Sequence, residues 1–274
     1  MGTVKKILLL LVVLSLGFQV QAQRCGACII KGDLKICYKG TADKRYEMNS
    51  VMKFPQAIYV AHYLDSCGIG LDQRVTVKKQ ELEQNTWSPM LKLIDVEREF
   101  SYGELLAMSL QQSDNNACDL LFKLCGSPRD VQNYLCSLGF KNIRLKWTEK
   151  QMHNKPRRSR DNWCTPSDMA ELLNWFYCER QSSPVLMYIW DLMQKCETGN
   201  NRIKAALPPG AQLAHKTGTG FSKGKTLRGI NDVGIVVMPN GDFYPIAIFI
   251  KHTKSEKEVA GIAKFLLSPQ HISH

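Results

Sequence analysis

Beyond its first 22 residues the sequence has no apolar run of the roughly 20 residues that a membrane-spanning helix needs. It has fewer acids than bases, 25 against 36, which gives a formal net charge of +11. It has no internal repeat and no low-complexity linker, so solenoids and tethered modules are excluded. Its six histidines form no HxHxD-type cluster, so neither a metal nor a metal-dependent hydrolase is expected. The densest basic block, Lys155-Pro156-Arg157-Arg158-Ser159-Arg160, holds a proline and no interleaved aromatic residue. That pattern describes a solvated loop, and no nucleic-acid partner is expected.

The N-terminus carries Lys5 and Lys6, an apolar run from Ile7 to Phe18, and Val20-Gln21-Ala22 in the small-residue pattern of a cleavage site. This reads as a secretory signal peptide over residues 1–22, and the mature chain is expected to be secreted, periplasmic and free of stable membrane attachment. Removing the two lysines of the segment leaves a charge of +9. All ten cysteines follow the segment. An oxidising compartment permits disulfides, but spacing does not give their pairing. Cys25-Gly26-Ala27-Cys28 has the spacing of a redox or metal motif, yet no second such pair accompanies it, and a terminal cystine or two small packed side chains is the simpler reading.

The coarse order is strand, helices, strands, helix. Ala27 to Lys39 reads as a hairpin around Gly32-Asp33. Ser50 to Cys67 is apolar over much of its surface and predicts a buried central helix, kinked at Pro55 and ended by Gly68. Further helices are expected near residues 102–111, 115–124, 128–138, 166–177, 184–196 and 255–267. Strands are expected at 212–218, 229–238 and 243–252, the last two joined by the Pro239-Asn240-Gly241-Asp242 turn. The fold class is therefore α+β: an antiparallel five-stranded sheet flanked by helices, with an all-helical domain inserted. The expected division is residues 23–48 and 197–274 for the sheet domain and 49–196 for the helical one.

Three short motifs bear chemistry. Ser50-Val51-Met52-Lys53 places a hydroxyl and an amine three residues apart, on one helix face. A serine hydroxyl is a weak nucleophile that needs a neighbouring base, and a lysine whose charge is disfavoured can serve. Ser113-Asp114-Asn115 and Lys216-Thr217-Gly218 complete the set. Each alone has an ordinary explanation: Ser50 and the 113–115 triplet suit helix N-caps, and a lone KTG is common. Together, in this order, they are the combination given for class A β-lactamases and penicillin-binding proteins.

The sequence resembles class A serine β-lactamases over nearly the whole mature length, and within them the PER- and CfxA-like branch. The similarity rests on Met48-Asn49-Ser50-Val51-Met52-Lys53, Asn85-Thr86-Trp87-Ser88-Pro89, Gln112-Ser113-Asp114-Asn115-Asn116, Asp161-Asn162-Trp163-Cys164-Thr165-Pro166 and Ala214-His215-Lys216-Thr217-Gly218. The resemblance implies that Ser50 is acylated, that Lys53 helps remove its proton, and that Ser113 relays a proton to the leaving nitrogen. It implies that Asn115 binds the substrate's acylamide, and that Lys216 and Thr217 hold its carboxylate. It implies further that the backbone N–H groups of Ser50 and Thr219 form the oxyanion hole and that Trp87 borders the cleft. Thr148-Glu149-Lys150-Gln151-Met152-His153 resembles the active-site loop of the same branch, which makes Glu149 the water-activating base. His153 stands where most class A enzymes have asparagine, and the role of that position toward the water is left open.

The expected activity is hydrolysis of the β-lactam amide of penicillins or cephalosporins, conferring antibiotic resistance. The expected partner is the small-molecule substrate alone, with no cofactor and a monomeric state. The competing expectation is a penicillin-binding D-alanyl-D-alanine peptidase or a non-catalytic β-lactam sensor, neither of which needs Glu149.

Overall fold

A continuous apolar run along the last of the C-terminal strands dictates a sheet covered on both faces. In Ile246-Ala247-Ile248-Phe249-Ile250 every residue is buried, so both faces meet apolar partners. The structure is a computed structural model and describes residues 24–38, 41–220, 222–223, 226–253 and 255–268. The expected signal segment and Lys39 lie outside them.

In chain order the main elements are β1 (Cys25–Lys31), β2 (Leu34–Cys37), β3 (Tyr46–Glu47), a 3-10 turn (Asn49–Met52), α1 (Lys53–Cys67), β4 (Arg74–Lys78), β5 (Glu97–Ser101), α2 (Tyr102–Gln111), α3 (Asn115–Cys125) and α4 (Pro128–Ser137). There follow β6 (Ile143–Arg144), α5 (Glu149–Asn154), a second 3-10 segment (Pro156–Asp161), β7 (Trp163–Cys164), α6 (Pro166–Glu179), α7 (Pro184–Gln194), β8 (Gln212–Thr219), β9 (Ser222–Lys223), β10 (Thr226–Val237), β11 (Phe243–Thr253) and α8 (Lys257–Leu267).

The main sheet is antiparallel. Its five principal strands run in the order β2-β1-β11-β10-β8, and the two-residue β9 pairs with β10. The α+β expectation therefore holds. One face of the sheet, with Ile29, Ile246, Ile248 and Ile250, packs on Val259, Ile262 and Leu266 of α8. The other face, with Ile30, Val233, Ala247 and Phe249, joins the core formed by the helices. Helix α6 lies directly on β1 and β11.

Local chemistry explains the helix limits. Ser101 and Glu104 form a capping box on α2, and Thr165 and Ser183 cap α6 and α7 ahead of Pro166 and Pro184. Gly68 closes α1 in the left-handed region, at φ 65°. The kink expected at Pro55 has no cause. The α-helix opens only at Lys53, so Pro55 falls in the first turn, where its missing N–H leaves no bond unmade. The sequence pattern also left out the β4–β5 hairpin and the small β3-β7-β6 sheet, whose strands are two to five residues long.

Candidate active site

The SxxK segment is anchored from below. Met48 N donates to the Asn162 carbonyl at 3.0 Å, and the Asn231 amide donates to the carbonyls of Glu47 and Met48. These bonds fix the 3-10 turn that presents Ser50, and Asn49 beside it holds a positive φ of 50°. Edge strand β8 then approaches this turn closely. A Cβ on Gly218 would lie 2.5 Å from the Met48 carbonyl oxygen, so only glycine fits there. That contact seats Thr217 and Thr219 beside Ser50, and all three line one cleft of about 620 Å³.

Lys53 is fully buried, and its ammonium uses all three donors. It bonds Ser50 Oγ at 3.0 Å, Asn115 Oδ1 at 2.8 Å and Glu149 Oε1 at 2.5 Å. Burial works against its charge, but Glu149 outweighs burial and holds the ammonium above the ordinary lysine range. Ser50 Oγ in turn points a long bond of 3.4 Å at Glu149 Oε1.

Asp114 caps α3 by accepting from Ala117 N at 2.9 Å, and it also receives Ser88 Oγ and Met90 N. The capping half of the 113–115 triplet is therefore real, and it belongs to Asp114. This anchoring leaves Ser113 in the left-handed region, at φ 60°, where its hydroxyl accepts from Lys216 Nζ at 3.0 Å. Strained residues of this kind collect at functional sites. Asn115 donates to Thr86 Oγ1 at 2.9 Å, so its amide is clamped between Thr86 and Lys53.

Glu149 opens α5, with Thr148 and Gln151 as its capping box. Asp119 accepts from the backbone N–H of Glu149 at 2.8 Å and of Lys150 at 2.7 Å. Burial pushes the Asp119 carboxyl up to about 6, against those bonds. Asn162 is fully buried and ties the approach to the loop, bonding the backbone at Lys146 and Trp147. His153 lines the cleft wall beside Glu149. Trp87 stands at the rim, 65% exposed, with its indole N–H on the Gln112 carbonyl.

Lys216 is fully buried and also donates to the Thr217 carbonyl at 2.9 Å, which leaves one donor without a protein partner among the described residues. Arg202 was absent from the expected set. Its guanidinium bonds Thr219 Oγ1 at 2.7 Å and the Gly218 carbonyl at 3.2 Å, and it pairs with Glu256. An arginine 14 residues before Lys216 carries no spacing signal, because only folding brings it under β8. Asp119 was also missed, for the same reason. Among the described residues no group of histidine, cysteine, aspartate or glutamate could hold a metal ion.

A hydroxyl, an amine and a carboxylate in mutual reach, facing a lysine–serine pair across one cleft, define a serine acyl-transfer site. Comparison with known proteins agrees. Residues 31–266 match the Beta-lactamase enzyme family. The chain is 38% identical to the extended-spectrum β-lactamase PER-1 of Pseudomonas aeruginosa, over 76% of this chain and 68% of that protein. It is 33% identical to β-lactamase VEB-1 of the same organism, over 88% of this chain and 83% of that one. The crystal structure of the TLA-3 extended-spectrum β-lactamase superposes with a TM-score of 0.82 at 32% identity, covering 90% of this chain and 94% of that one. The chain belongs to the β-lactamase enzyme family, in the PER- and CfxA-like branch of class A.

Proposed function

We propose that this protein hydrolyses the β-lactam amide of penicillins and cephalosporins through an acyl-enzyme on Ser50, and so confers antibiotic resistance. The observation that carries the reading is the placement of Glu149 Oε1, 2.5 Å from Lys53 Nζ and 3.4 Å from Ser50 Oγ. A penicillin-binding peptidase needs the serine and the lysines but has no need for a carboxylate held there.

Ser50 Oγ attacks the lactam carbonyl. Its proton goes to Glu149, directly or through Lys53 once Lys53 has passed its own proton across their contact. Lys53 has no free lone pair until then, because as an ammonium its nitrogen carries three hydrogens, each donated to one of Ser50, Asn115 and Glu149. The N–H groups of Ser50 and Thr219 receive the developing oxyanion; one such donor is worth about 3 kcal/mol. Ser113 delivers a proton to the lactam nitrogen as the C–N bond breaks, drawing on Lys216. The proton held by Glu149 is then given up and the Ser113–Lys216 pair is re-protonated, which restores the carboxylate; Glu149 next takes a proton from water as that water attacks the ester, and returns it to Ser50 Oγ as the ester bond breaks.

Asn115 holds the acylamide, and Lys216, Thr217 and Gly218 hold the substrate carboxylate, with Arg202 reinforcing that end of β8. Trp87 and His153 shape the two walls. PER-1 and TLA-3 are named extended-spectrum β-lactamases, which supports a broad β-lactam substrate range for this protein. The reading needs no cofactor or metal and treats the mature enzyme as a monomer. It keeps residues 23–48 with 197–274 as the sheet domain and 49–196 as the helical one. It places the protein in the periplasm after cleavage near Ala22. Among the described residues no helix is long and apolar enough to cross a membrane.

The test is turnover of a chromogenic cephalosporin by the purified mature protein, with mass spectrometry on the same sample. Many turnovers with little lasting adduct support the lactamase. One stoichiometric burst with a persistent adduct on Ser50 indicates the peptidase instead. Ser50→Ala removes acylation altogether, and covalent labelling of that variant would sink the nucleophile assignment.

A further inference from the structure

Strand β2 ends the main sheet and pairs with β1. It is four residues long and largely exposed. So short an edge has little to hold it against fraying. On the face toward α6, Lys35 Nζ bonds Ser167 Oγ at 3.0 Å and Glu171 Oε1 at 2.5 Å, both on that helix. A second tie is available two residues further on.

Cys37 stands directly opposite Cys28 in the antiparallel register, as Lys35 stands opposite Ile30. Residues placed directly opposite share a face, so Cys37 lies on the α6 side with Lys35. Cys28 is wholly buried in the core formed by the helices, whereas Cys37 is exposed. Both are thiols, and their sulfurs are 4.0 Å apart. The Cα atoms of such a pair are about 4.5–5.5 Å apart, inside the span of about 4.4–6.8 Å that a disulfide bridges. Side-chain rotation is therefore enough to close the gap.

The cystine suggested by the CxxC spacing, Cys25 with Cys28, is ruled out by the strand. The two lie three residues apart on β1, about 10 Å, and point to opposite faces. Cys25 packs on the α8 side of the sheet and Cys28 on the other.

We infer that Cys28 and Cys37 are an oxidisable pair whose disulfide fastens the edge strand β2 to the sheet. The oxidant is a small disulfide of the glutathione class. Exposed Cys37 loses its proton, and its thiolate attacks one sulfur of the donor, expelling one donor thiolate and leaving Cys37 in a mixed disulfide. The Cys28 thiolate then attacks Cys37 Sγ and expels the second donor thiolate. The two protons pass to the expelled thiolates, and the two electrons given up by the protein reduce one donor disulfide. The order follows from access: burial, with Cys37 beside it, pushes the Cys28 thiol up and keeps it inert toward outside reagents. The bond closes a loop of ten residues, 28–37, around the Gly32-Asp33 turn. Because β2 and β8 are opposite edges of the sheet, it acts on stability and not on the cleft.

The experiment is oxidation of the reduced, purified mature protein with glutathione disulfide, alkylation of the remaining thiols, and tryptic digestion without reductant. Trypsin cuts after Arg24, Lys31, Lys35 and Lys39, so Cys28 and Cys37 fall on separate peptides, 25–31 and 36–39. Mass spectrometry should find these two peptides joined in wild type and in Cys25→Ser, and not in Cys28→Ser or Cys37→Ser. Peptide 36–39 recovered alkylated from wild type overturns the inference, as does a link to peptide 25–31 that survives in Cys28→Ser. Melting gives a second readout. Oxidised wild type should melt about 5 °C above the reduced form, and Cys37→Ser, altered only at an exposed position, should lose that difference. Equal melting of the two forms with the joined peptides present would show that the bond does not fasten β2.

Discussion

Lys216 Nζ donates to Ser113 Oγ at 3.0 Å, across 103 residues of sequence, and this bond joins the strand wall of the cleft to its helical wall. Ser113 reaches it only in a left-handed conformation, which its neighbour Asp114 enforces by capping α3. The opposite pair, Lys53 and Glu149, is built in the same way from distant elements. Two buried lysines thus serve one site with different partners, a carboxylate for one and a hydroxyl for the other.

Glu149→Gln keeps the shape and removes the base. Acylation of Ser50 should slow but continue, with Lys53 as base once the carboxylate that raises it is gone, while hydrolysis of the ester slows further, by about 10²–10⁴-fold, the range for a positioned general base. Stopped-flow turnover with intact-protein mass spectrometry would show an accumulating adduct. Normal turnover would place the hydrolytic base elsewhere.

Asp119→Ala removes the acceptor for the backbone N–H groups of Glu149 and Lys150. The expected cost is about 1 kcal/mol of stability, as for other lost caps, with deacylation slowed more than acylation. Denaturant melts and single-turnover kinetics measure the two effects separately. Equal slowing of both steps would mean that Asp119 does not act through Glu149.

Gly218→Ala drives a methyl group against the Met48 carbonyl and the Val51 backbone nitrogen, at 2.5 and 3.1 Å. Both neighbours are backbone, so strand and turn must part. A stability loss of about 1–3 kcal/mol is expected, with acylation falling as the Ser50 and Thr219 N–H groups separate. A variant with unchanged melting and unchanged acylation rate would contradict the close approach.

The buried His215–Asp232 pair, 2.9 Å from Nδ1 to Oδ1, gives stability a pH signature. The folded imidazole is raised to about 10 from an ordinary 6.5. A raised base contributes fully below its unfolded value and loses that contribution as pH climbs through the folded one. The melting-temperature gap between wild type and Asp232→Asn should therefore be widest below about pH 6.5 and shrink toward about pH 10. Taking the difference cancels the titrations of Cys196 and Lys216 to the extent that the substitution leaves them alone. A gap that widens with pH would reverse the assignment of charge to His215.

Much of this protein was legible in its sequence because the signals are local. The turn at residues 239–242, the capped helices after Ser101, Thr165 and Ser183, and the buried strand from Phe243 all depend on residues a few positions apart. The order of the three motifs named the chemistry before any coordinate did. Short strands such as Tyr46–Glu47 and Trp163–Cys164 left no periodic trace, and the Pro55 kink was misjudged because a 3-10 turn before Lys53 is invisible to helical spacing.

The sequence by itself determined which groups were available: a serine and a lysine on one helical face, a second lysine on a strand, a glutamate at a helix start. Tertiary structure alone decided how each is ionised and held. Lys53 meets Glu149 from 96 residues away, Asp119 holds Glu149 from 30, and Asp232 reaches His215 from 17. Charge state depends on burial and on neighbours within a few ångströms. Those neighbours are chosen by the packing of strand against helix, which no local stretch of chain encodes.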